Sequence, residues 1–94
     1  MSTLKVLGPF YERPKQEFTG RQIGRETGLP SGTVYPILIR LAEAGWLSNR
    51  WEENSPQQVG RPRRRYYRIT KAGFQKTHGA LMDLGRKYGA KSWA

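Results

Sequence analysis

Cysteine is absent from this chain of 94 residues, which excludes a disulfide framework and any thiolate metal site and is compatible with a reducing compartment. There is a single histidine, at 78. No Glu/His pair falls at metal-ligand spacing, so no metal or other cofactor is expected. Long apolar runs are missing too: none approaches the roughly 18 residues that a membrane-spanning helix needs. The opening stretch MSTLKVLGPFYERPK has no apolar region of the secretory kind, so the expected location is the cytoplasm. Acidic residues are scarce, at 7 against 17 lysines and arginines. They pair in no way suited to acid–base work. A Gly-rich phosphate loop and a nucleophile elbow are also lacking, so the sequence is not expected to be an enzyme.

What is present is positive charge, +10 in all, and it is segregated. Between Asn54 and Met82 lie Arg61, Arg63, Arg64, Arg65, Arg68, Lys71 and Lys76 and no carboxylate; six of the seven acids precede that stretch. A merely soluble basic protein would scatter its charges. Segregation points to a binding face for a polyanion, with double-stranded DNA the first candidate.

The order of elements supports this. Leu4, Leu7 and Tyr11 recur at helical spacing over residues 3 to 13, although Pro9 should kink that helix or delay its start. Residues 14 to 18 read as a loop. Thr19 is placed to cap a short second helix that Gly28 ends. After Leu29-Pro30, Ser31 is placed to cap a third helix, SGTVYPILIRLAEAGWL, in which Val34, Ile37, Leu38 and Leu41 form the buried stripe. Pro36 sits inside it; with Thr33 as the cap it would fall in the first turn at little cost. Two short helices joined by a tight turn make a helix-turn-helix. The strand-like runs WLSNRWEE and RRRYYRIT flank a Pro/Gly/Asn-containing loop, the pattern of a hairpin. Tyr67 and Ile69 should share one face of the second strand, Tyr66 and Arg68 the other.

Thr70 can cap a last helix, roughly Lys71 to Tyr88. In it Phe74, Leu81 and Tyr88 stand seven apart with His78 and Gly85 between, a short seam for self-association. The alternative is packing against the chain's own first helix. The expected fold is therefore mainly α with a small β-hairpin: a winged helix-turn-helix over residues 1–70, then a C-terminal dimerisation helix over 71–94.

Candidate DNA contacts follow. Ser31, Gly32, Thr33 and Tyr35 are small or hydroxyl-bearing residues at the start of the third helix, with Pro36 beside them, and Arg40 is a phosphate candidate one turn on. Arg61, Arg63, Arg64 and Arg65 sit beside the Gly-Pro turn of the hairpin, where they suit phosphates or a minor groove. Lys15, Arg21 and Arg25 are individually weaker candidates for the backbone.

The stretches GLPSGTVYPILIRLAEAGWL, RWEE and GRPRRRYYRITKAG resemble the PadR family of bacterial transcriptional regulators. The family pattern is a Ser-Gly-Thr-apolar-Tyr-Pro helix start, a Leu-x-x-x-Gly end and a Tyr-Tyr-x-apolar-Thr-x-x-Gly return strand. The match runs from about Thr19 to Gly73. The resemblance implies a homodimer built through C-terminal helices and repression at a dyad-symmetric operator, with Ser31, Gly32, Thr33, Tyr35 and Pro36 facing DNA. Some members release DNA on binding phenolic or hydrophobic compounds, so a small hydrophobic effector is a further candidate partner; Trp46, Trp51 and Trp93 are the residues that could line its crevice. The chain departs from the pattern at Pro9 and in its short tail. Two other readings stay open: a nonspecific or architectural nucleic-acid binder, and a winged-helix module that binds protein.

Overall fold

The computed structural model describes residues 2–88, the last two by their backbone alone. The elements run α1 (Ser2–Glu12), β1 (Phe18–Thr19), α2 (Gly20–Thr27), α3 (Ser31–Glu43), β2 (Leu47–Trp51), α4 (Pro56–Val59), β3 (Arg65–Ile69) and α5 (Lys71–Tyr88). α1, α2 and α3 pack against an antiparallel sheet of order β1-β3-β2, and α5 packs against α1. This is a winged helix-turn-helix, mainly α with a small sheet.

One core holds it together. Val6, Leu7 and Phe10 of α1, Ile23 of α2, Val34, Ile37, Leu38 and Leu41 of α3, and Phe18, Leu47, Tyr67 and Ile69 of the sheet bury their side chains against one another. The helical stripe read from α3 and the alternation read from β3 are both realised: Tyr67 and Ile69 point inward, Arg68 outward.

Four local expectations are corrected. Pro9 does not delay the start of α1, which runs from Ser2 to Glu12 around it. The buried contacts of Val6, Leu7 and Phe10 offset the missing hydrogen bond. Ser31 does not cap α3. Pro30 holds the cap position at φ −69°, ψ 155°, with no side-chain cap bond. Its carbonyl accepts from the amides of Thr33 and Val34 at 2.9 and 3.0 Å. Pro36 therefore lies in the second turn and leaves the Gly32 carbonyl without its helical donor. Residues 14 to 18 are not all loop: Phe18 pairs with Tyr67, and Thr19 with Tyr66, as a third strand. The hairpin loop contains a helical turn, α4, whose Ser55 and Gln58 cap each other reciprocally.

Other caps stand as read. Thr19 and Gln22 form a capping box on α2, and Gly28 ends it at φ +75°. Thr70 does more than cap α5. Its Oγ1 accepts from the Gly73 amide at 2.9 Å and lies 2.7 Å from the Gly45 carbonyl, to which it donates. Its own amide donates to the Trp46 carbonyl at 2.9 Å. One threonine thus ties the end of the sheet, the α3–β2 turn and the start of α5 together.

Candidate nucleic-acid interface

Gly20 opens α2, and the Tyr35 ring of α3 lies directly over it: a Cβ there would stand 2.7 Å from Tyr35 Cζ. The missing side chain makes room for the ring between the two helices of the helix-turn-helix. Tyr35 remains 45% exposed, and Ile39, one turn further along the same side of α3, 48%. Both border an open cleft of about 870 Å³.

The cleft's other walls come from α2, through Arg21, Gln22 and Arg25, and from the wing, through Trp51, Arg61, Pro62, Arg63, Arg64 and Arg65. Six arginines line it and no carboxylate does. The structure therefore gathers Tyr35 and all four wing arginines on one concave surface. Ser31, Gly32, Pro36 and Arg40 are exposed on α3 but outside the lining, and Thr33 is half-buried.

The wing arginines are not equivalent. Arg61 forms a paired-fork contact with Glu52, at 2.8 and 2.9 Å, and the Glu52 side chain is only 12% exposed. The hydrogen bonds from Arg61 hold the Glu52 carboxyl below its usual range, and Glu52 raises Arg61 in turn. The Glu52 amide also donates to the Arg64 carbonyl at 2.8 Å. Arg61 is thus engaged inside the protein as a brace for the wing. Arg65 lies over the Trp51 ring, 4.3 Å from its centroid. Arg63 donates from Nε to the Asn54 carbonyl at 3.2 Å. Arg64 is exposed and, among the described residues, makes no ion pair or side-chain hydrogen bond. A second brace, Arg50 to Glu17 at 2.7 and 2.8 Å, ties β2 to the approach to β1 and lowers the Glu17 carboxyl.

Three participants escaped the sequence reading, Gly20, Ile39 and Glu52, while Trp51, read as an effector-crevice residue, lines this cleft instead. Ile39 was legible, since it follows Tyr35 by four residues and falls off the buried stripe. Glu52 carried no local signal, because its partner is nine residues away across a loop.

The last helix divides in two. Phe74 stacks on Tyr11 of α1 at 4.8 Å, and His78 Nδ1 shares a 2.6 Å hydrogen bond with the Tyr11 hydroxyl. These two residues thus pack on the chain's own first helix, the alternative weighed above. Beyond His78 no described side chain is buried; Leu81 and Leu84 are half-buried and Met82 is exposed. The Tyr88 side chain and Trp93 lie outside the described residues. Trp46 packs against the core with Lys76 over its ring, while Trp51 lines the cleft. No helix among the described residues is long and apolar enough to cross a membrane.

Comparison with known proteins agrees with this architecture. A MarR variant from E. coli superposes with a TM-score of 0.72 at 16% identity over 92% of this chain and 57% of its own. A PadR family regulator from Clostridium difficile superposes at 0.71 with 20% identity, over 93% of this chain and 91% of its own. Bacillus subtilis PadR, solved in complex with operator DNA, superposes at 0.70 with 21% identity, over 86% and 46%. The chain thus spans little more than half of the MarR chain and less than half of the B. subtilis one. No curated protein matches it significantly. The profile of the PadR-like transcriptional regulator family matches residues 16–79, from the approach to β1 into α5 and so over the whole cleft, and the chain belongs to that family.

Proposed function

We propose that this protein is a sequence-specific DNA-binding regulator of transcription, a repressor acting as a cytoplasmic homodimer and working by binding rather than catalysis. The observation that carries this reading is the carboxylate-free cleft, in which the exposed side of α3 and the wing arginines share one surface with Arg21 and Arg25. The similarity to a PadR solved with operator DNA supports it.

In this reading α3 enters the major groove by its first turns. Ser31, Gly32, Thr33, Tyr35 and Pro36 approach base edges and Arg40 a phosphate. Arg63, Arg64 and Arg65 take the adjacent backbone or minor groove, with Arg61 holding their loop in shape. Residues 1–70 do the binding. The part of α5 beyond His78 pairs with a second copy, with Leu81 and Tyr88 in the seam and Phe74 and His78 setting the helix on α1. Two recognition helices about 34 Å apart would read a dyad-symmetric operator. A small hydrophobic effector would bind between the paired helices, outside the Trp51 cleft.

The test is selection of bound duplexes from source DNA, followed by footprinting at physiological salt. Two protected half-sites about one helical turn apart are expected. Equal affinity for selected and random duplexes would replace this reading with a nonspecific binder; no mobility shift at low salt would replace it with a protein-binding module.

A further inference from the structure

α3 sends two side chains to the cleft, the hydroxyl-bearing Tyr35 and the wholly apolar Ile39. The helix has five aliphatic side chains beyond alanine, and Val34, Ile37, Leu38 and Leu41 are 0–7% exposed. Ile39 is the exception, at 48%, and it borders the cleft next to Tyr35. Gly32 and Pro36, on the neighbouring strip of the helix, are exposed and bring no side-chain donor or acceptor.

The surrounding charge selects the occupant. With six arginines and no carboxylate around it, this apolar group faces a polyanion rather than an apolar protein partner. Within the major groove only one base feature is apolar, the C5-methyl of thymine. An isoleucine set against guanine or cytosine would leave their polar edges stripped of water and unpaired, so it favours thymine and also penalises the alternatives. Its branched Cβ restricts the helical χ1 rotamer, so the contact is formed at small entropic cost.

We propose that Ile39 is a specificity-determining residue that reads a thymine methyl in each half-site of the operator. The inference rests on the DNA-binding reading above and adds to it the class of base that the centre of α3 selects.

The experiment uses the full chain and duplex oligonucleotides carrying a site selected from a random library. Each thymine is replaced singly by deoxyuridine, which removes the methyl and nothing else. One thymine per half-site is expected to lose about fourfold in affinity, the equivalent of one buried methyl-sized group. Ile39→Ala, a change at an exposed position, should abolish that loss and leave the effects at other thymines alone, so that the two changes couple. A selected site with no thymine methyl sensitivity, or a sensitivity that Ile39→Ala leaves unchanged, overturns the inference while the DNA-binding reading stands. Failure to select any site overturns both.

Discussion

Tyr35 and Gly20 are a matched pair: the ring occupies the space that any Cβ at position 20 would need. Because the obstacle is a side chain bordering an open cleft, Gly20→Ala should displace the ring rather than unfold the protein. The expected outcome is a small change in thermal midpoint and a loss of preference for the selected operator over random duplex. Competition binding measures it; equal losses on both DNAs would show that Tyr35 is not a reader.

The same absence has a different meaning at Gly73. A Cβ there would come within 2.7 Å of the Trp46 carbonyl carbon, with the oxygen nearer still, and backbone cannot swing aside. Gly73→Ala is expected to destabilise by about 1–3 kcal/mol. Gly79, six residues along α5, has nothing within 4 Å of its Cβ position. Gly79→Ala should raise the melting temperature, by roughly 0.5–1 kcal/mol of stability, through helix propensity alone. Thermal denaturation of the two variants gives shifts of opposite sign if the packing is as described.

Arg64 and Arg61 should separate binding from bracing. Arg64→Ala is expected to leave stability unchanged, weaken binding to all duplexes and flatten the salt dependence by about one unit of slope. Arg61→Ala removes the partner of Glu52. It should loosen the wing in hydrogen exchange at residues 52–64 even without DNA.

Acid should loosen the same loop. Glu52 and Glu17 have folded pKa values below their ordinary ones because Arg61 and Arg50 hydrogen-bond their ionised forms. The stability these pairs contribute is fully present above the ordinary carboxylate range and is lost as pH falls through the lowered folded values. Urea midpoints should decline over that window, and less steeply in Glu52→Gln. An unchanged pH profile in that variant would remove the brace.

Leu81 tests the assembly. Leu81→Asp places a charge in the stretch of α5 beyond His78, where no described side chain is fully buried, and it should lower the dimer fraction in sedimentation while leaving the melting of the winged helix largely intact. A dimer that survives unchanged would place the interface elsewhere.

Much of this molecule was legible because its signals are local. The stripe on α3 needs only a period of 3.6, and the inward faces of Tyr67 and Ile69 need only alternation. The Thr19 cap and the Gly28 terminator need only the residues beside them. Some of what escaped was local too, as with Ile39 and the Ser55–Gln58 capping box of α4, but the rest has no local signature. Two residues, Phe18 and Thr19, are too few to show strand periodicity, and they become a strand because β3 offers them an edge. Pro9 suggested a late helix start because propensity is a statement about an isolated helix, whereas three fully or nearly fully buried neighbours settle this one.

By itself, then, the order of residues determined the four longer helices, the two hairpin strands, the core-facing positions of α3 and β3 and the charge imbalance, all of which depend on neighbours a few residues apart. Folding alone decided which arginines are free and which are tied, why position 20 has no side chain, and that one isoleucine is left facing a cationic cleft. Those outcomes depend on groups distant in the chain meeting in space, where Coulomb attraction and excluded volume act on distance and not on sequence.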